Sequence, residues 1–178
     1  MKALPLCLIA ALALPPCGCT PTPPLDRIVS AESPSDLTYW RQRNEDNLTP
    51  AQWEDFDAAL REVQMKIKID AAGKDTDAID SMVCAKVAGQ TVRKVLQTGF
   101  ELKLARLDAE GAQLADFIRK NTALKPGSTQ TKEELLDKVF TQVSLLHAVD
   151  KDMEETSQKL DLLLQRPHAP HKPHEPAP

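Results

Sequence analysis

Three histidines near the C-terminus, His168, His171 and His174, recur every third residue among prolines in the run that follows Arg166. Polyproline II has three residues per turn, so imidazoles at that interval project from one face, about 9 Å apart along the axis. One straight tail cannot close them on a single ion. A bend, or two tails together, would make an exchange-labile site for Zn, Cu or Ni. The plainer reading is a soluble spacer in which the imidazoles are incidental. Cys84 offers thiol chemistry: a helical wheel puts it on the flank of an apolar stripe, where it can pair with its counterpart in a second chain. A half-buried small hydrophobe is the competing reading, and no motif places a histidine beside it to make a nucleophile. Tyr39, Trp40, Trp53 and Phe56 gather four of the seven aromatics within 18 residues. Tyr39 and Trp40 are candidates to stack on a glycan or a protein partner; otherwise the cluster caps the open end of a helical bundle. There is no glycine-rich phosphate loop, paired CxxC or HExxH, and no carboxylate pair stands out as acid and base. The expectation is a protein that is not an enzyme.

The N-terminus says where such a protein would work. Met1 and Lys2 give a basic start, and residues 3–14 are an apolar run of about a dozen. That is shorter than the roughly 20 residues of a spanning helix and suits a secretory signal. Gly18 and Cys19 close it. This start resembles the signal of a bacterial lipoprotein, in which a small residue precedes a cysteine that becomes the acylated N-terminus. Pro16 and Cys17 stand where an aliphatic residue and Ala or Ser are usual. The resemblance covers the first 19 residues. It implies removal of residues 1–18, a lipid of the palmitate kind on Cys19, and attachment to the bacterial cell envelope facing the periplasm or exterior. Thr20, not Asp, follows the cysteine, which favours the outer membrane. Cleavage after Ala11-Leu12-Ala13 and plain secretion is the alternative.

Composition narrows the rest. The net charge of −4 leaves no basic surplus for phosphate backbones, so no nucleic-acid partner is expected. Once the signal is gone and Cys19 acylated, Cys84 is the one remaining thiol, and apolar packing must hold the fold.

Residues 19–34 read as a lipidated cysteine and Pro-rich spacer, long enough to hold a domain up to roughly 45 Å from the membrane. A helical turn at Ser33-Pro34-Ser35-Asp36 would carry Tyr39 and Trp40. Leu48-Thr49-Pro50-Ala51-Gln52-Trp53 has a capping box, Pro at the first helical position and the spacing of a hydrophobic staple. Trp53, Phe56, Leu60, Val63 and Ile67 follow at intervals of three and four. Val63, Met65, Ile67 and Ile69 also alternate as a strand would, but the Ala, Leu, Glu, Lys and Gln around them favour a helix. A shorter helix from Asp75 to Ala88 carries Ile79, Met82, Val83 and Val87; Gly89 ends it and Thr91 caps the next. That helix, from Val92 to about Leu124, shows Leu96, Phe100, Leu104, Leu107, Leu114 and Ile118, with Gly111 where a side chain is expected. A turn at 125–128 and a capping box at Thr131 precede the last helix. Its seam is Leu136, Val139, Val143, Leu146, Asp150, Met153, Ser157, Leu160 and Leu164, until Pro167 stops it. Asp57/Arg61, Glu62/Lys66, Glu134/Lys138 and Glu155/Lys159 set acid four residues before base on the solvated faces.

These elements predict an all-α fold: a long antiparallel, coiled-coil-like hairpin with one or two N-terminal helices packed on it and disordered Pro-rich ends. The domain would span 35–166 and the His/Pro tail 167–178. The expected function is a lipid-anchored helical scaffold that binds a protein partner or a second copy of itself. The alternative is an envelope protein that buffers a transition metal on its tail.

Overall fold

The computed structural model of the chain describes residues 22–122 and 132–165. The signal, Cys19, the turn at 125–128, the cap at Thr131 and the histidines at 168, 171 and 174 lie outside them. Five helices follow in order: α1 (Pro34–Arg43), α2 (Pro50–Asp70), α3 (Thr76–Val87), α4 (Val92–Thr122) and α5 (Lys132–Leu164). The fold is all-α. Both stretches that alternate like strands, 63–69 and 100–104, lie inside helices.

Helix starts are written in the sequence. Thr49 Oγ1 accepts from the Gln52 amide at 3.2 Å while Gln52 Oε1 accepts from the Thr49 amide at 2.9 Å, the reciprocal box that opens α2. Ser33, Asp75 and Thr91 accept from the third amide onward at the starts of α1, α3 and α4. Each satisfies a donor the first turn would leave unpaired.

The last two helices form the hairpin. Lys103 Nζ meets Asp152 Oδ1 at 2.6 Å, and Arg93 Nη1 donates to the Leu163 carbonyl at 2.8 Å, so α4 and α5 run antiparallel. With 31 and 33 residues they are each close to 50 Å long. α2 lies along α4 in the same direction: Ala59 sits on Gly99, and Glu62 reaches Arg106 one to two turns on. α2 ends level with Gln113, because Ile69 and Gln113 line one groove. Beyond that level the hairpin continues as a two-helix arm. The other end is the base, where Trp40, Phe56, Ala59, Cys84, Val87, Val95, Leu96, Phe100 and Leu163 form the core.

Two expectations are corrected. The Pro-rich spacer does not run free to Pro34. Pro24–Asp26 forms a tight turn, Ile28 bridges Thr91, the Val29 amide donates to the Gln90 carbonyl at 2.8 Å, and Val29 and Ala31 are wholly buried. Val29 and Ala31 supply the apolar side chains that the prolines obscured. The second correction is the seam of α5. Asp150, Ser157 and Leu164 are exposed, whereas Val149, Thr156 and Leu163 are buried. Both phases keep Val139, Leu146, Met153 and Leu160, so either satisfies the alternating spacing. The covered side is the one whose Leu163 joins Phe56 and Ala59 in the core of the base, with Lys159 pairing with Asp55 of α2 beside it. Thr156 tolerates burial because its hydroxyl donates to the Asp152 carbonyl at 2.6 Å.

Candidate functional site

Cys84 lies in the core rather than on its flank, 2% exposed beside Val87. Burial pushes its thiol above the ordinary range, and the carboxylates of Asp80 and Asp36 push it further. A thiol so placed presents nothing to a second chain, which corrects the reason for expecting an intermolecular disulfide. Trp40 is likewise buried. Its Nε1 donates to the Ile28 carbonyl at 2.8 Å, and its ring packs against Trp53 and Phe56 at centroid separations of 6.1 and 5.7 Å. The aromatics therefore cap the base, as the plainer reading had it. Tyr39 parts company with Trp40: it is 60% exposed, with the Arg43 guanidinium 5.6 Å above its ring.

Several charges serve packing rather than their own helices. Glu62 is buried and accepts from Arg106 Nη2 at 2.8 Å and Nε at 3.1 Å, a two-pronged pair that clamps α2 to α4. The hydrogen bond to Glu62 holds the Arg106 guanidinium protonated even more firmly than usual. Asp57 pairs with Arg41, and Lys159 with Asp55, in place of the local partners expected at Arg61 and Glu155. A long-range pair ties two helices together, whereas an i,i+4 pair decorates one. Lys66 turns to Asp70.

Two surfaces stand apart. The first is on the arm: Phe140 is 71% and Leu136 57% exposed on α5, one turn apart on one face, and Phe117 on α4 is also open. Where the arm meets α2, a groove of about 630 Å³ lies between α2 and α4, floored by Met65, Ile69, Leu102, Ala105 and Ala109. The second is at the base, where the chain enters the fold. A hollow of about 360 Å³ is lined by Arg27, Ser30, Asp36, Tyr39, Trp40, Arg43 and Asn44. Arg27 Nη1 donates to Asn44 Oδ1 at 3.0 Å, and Arg27 Nε is buried without a partner. Sequence reading passed over Arg27 and Arg43, because the first sat in a supposed spacer and nothing in spacing joins two residues 16 positions apart.

Among the described residues no group of three or more His, Cys, Asp and Glu is placed to hold a metal ion, and no helix is long and apolar enough to cross a membrane. The fold and its surfaces define a helical-hairpin protein with an apolar arm and a partly basic base. No family model, curated protein or solved structure matches the chain.

Proposed function

We propose that this is a lipid-anchored protein of the bacterial envelope that acts as a helical scaffold, binding another protein through the arm of its hairpin. The observation that carries the reading is the exposed pair Leu136 and Phe140 on a two-helix arm that has outrun its third helix. A two-helix arm buries one stripe per helix, so further apolar side chains on it remain free to pack against a partner helix. The direction of the chain agrees. Residues 22–28 join the body at the start of α4, so an anchor at Cys19 would hold the base near the membrane and send the arm away from it.

The test is association of the mature chain with a second copy of itself, measured by analytical ultracentrifugation. Replacing Leu136 and Phe140 together by Ser is expected to abolish self-association or weaken it at least tenfold, with helix content unchanged. A wild-type chain that stays monomeric at high concentration, and draws no partner from envelope cross-linking that the double variant loses, removes the scaffold reading.

A further inference from the structure

The basic hollow at the base has no role in the scaffold. Arg27 and Arg43 form no ion pair among the described residues, unlike Arg41, Arg93, Arg106 and Arg119, each of which has a carboxylate. Arg43 is open to water and Arg27 is half-buried with its Nε unpartnered; two such guanidiniums lining one concavity suit an oxyanion, which a guanidinium fork grips at two oxygens. Arg27 is held in place by Asn44, and Arg43 is steadied over the Tyr39 ring, so both heads are oriented before any ligand arrives. Asp36, the carboxylate in this hollow, already accepts from the Ser33 hydroxyl at 2.7 Å. It disfavours a bare dianion and favours a group that carries a hydroxyl or amine next to its phosphate.

The surroundings are those of a membrane seat. A second hollow shares Arg27, Trp40 and Asn44 as its wall and is bordered by Thr22, by Asp26, whose carboxylate is paired with Arg93, and by Ile28, which is 57% exposed. An open isoleucine and an open tyrosine thus flank the two arginines, the combination that settles at a headgroup boundary. From Cys19 to Thr22 the chain can span at most about 11 Å. With the expected spacer folded into the body, an acylated Cys19 would leave this face almost no room to stand off.

We infer that the face bearing Arg27, Ile28, Tyr39 and Arg43 seats on the bilayer, with the two guanidiniums taking a phospholipid headgroup phosphate and Asp36 its neighbouring hydroxyl or amine. The inference rests on the tethered reading for its choice of ligand, but not for its test. The chain from residue 19 to 178 carrying Cys19→Ser cannot be acylated, and its sedimentation with vesicles of phosphatidylglycerol and phosphatidylcholine reads the seat alone. Binding to these vesicles, reduced at least tenfold on pure phosphatidylcholine, is the expected result. Arg43→Gln should weaken it about fivefold and Arg27→Gln/Arg43→Gln roughly thirtyfold, the increments of surface arginines at an anionic leaflet. Arg43 is exposed, so its variant keeps the test valid should Arg27→Gln disturb the Asn44 contact. Equal binding by wild type and Arg43→Gln overturns the inference. So does an arginine-dependent response to inorganic phosphate with no vesicle binding, which would mark a free-anion site. Mass spectrometry of the native N-terminus judges the anchor separately: an unmodified cysteine there ends the tether and leaves the vesicle result standing.

Discussion

Two glycines of α4 measure the difference between the base and the root of the arm. At Gly99 a β-carbon would come within 2.3 Å of both the Cα and Cβ of Ala59, so α2 and α4 touch there backbone to backbone. At Gly111, twelve residues on, the same carbon would lie 3.6 Å from Val149 Cγ1 and 3.8 Å from Leu146 Cδ1, ordinary contact distances. The base is built by removing side chains until the helices meet. At the root of the arm side chains space α4 from α5, and there is room for one more methyl group. One end is packed backbone to backbone, and the other keeps apolar side chains in the open.

The largest effect should come from filling the tight crossing. Gly99→Ala forces α2 off α4 and is expected to cost about 3 kcal/mol, at the upper end for overpacking, because one of the atoms in the way is backbone. Urea unfolding reads it. Ala59→Gly added to that variant should restore part of the loss, since it removes the Cβ and leaves the Cα. An unchanged midpoint in Gly99→Ala would mean that the crossing is not close, and the contrast with Gly111 would fail.

Next in size is the clamp between the same helices. Glu62→Ala removes the two Glu62 oxygens that accept from Arg106, leaving Glu110 Oε2 at 3.5 Å, and the guanidinium, being 40% exposed, recovers some of the loss from water. The expected cost is about 1–2 kcal/mol, that of charge-assisted hydrogen bonds discounted for this exposure. Glu62→Gln should cost less, as it keeps one acceptor. Equal effects of the two would show that the carboxylate charge and its paired acceptors, rather than side-chain shape or a single acceptor, hold the clamp.

Cys84 adds a dependence on pH confined to the base. Its folded-state pKa is raised, so the folded protein holds a proton that the unfolded chain gives up. The contribution is complete below the ordinary thiol value near 9 and is lost as pH rises through the raised one. Stability should therefore fall on the alkaline side, and Cys84→Ala should flatten that slope while costing a little at neutral pH. Slow alkylation of the native chain, quickened by urea, would report the same burial.

What the sequence disclosed divides along similar lines. The caps at Thr49 and Thr91, the helix starts at Ser33 and Asp75, and the stripes of α2 and α4 are local properties that neighbouring residues determine; in α3 Met82 is exposed and Cys84 takes a core place. Features decided by a third element were hidden. The side of α5 that is covered depends on what packs over it, the partner of Glu62 is 44 residues away, and the burial of Val29 depends on the loop before α4. Gly99 by itself is only a weak helix position; the Ala59 against it gives the reason for it. Of the candidate sites, Tyr39 kept its exposure and Trp40 and Cys84 did not. A helical wheel gives the direction of a side chain but not which directions are covered.

The smallest effect runs the opposite way. Glycine in a helix interior costs about 0.5–1 kcal/mol relative to alanine through unfolded-chain entropy. Gly111 has a negative φ, and its absent β-carbon would fall in van der Waals contact with Val149 and Leu146. Gly111→Ala is therefore expected to stabilise the protein by about 0.5–1 kcal/mol, raising the urea midpoint where Gly99→Ala lowers it. The sign matters more than the size: one methyl group, added twice to one helix, should unseat the base and firm the root of the arm. A partner that needs α4 and α5 to flex there would bind Gly111→Ala less well than wild type despite its greater stability, whereas unchanged affinity would mark the arm as a rigid docking face.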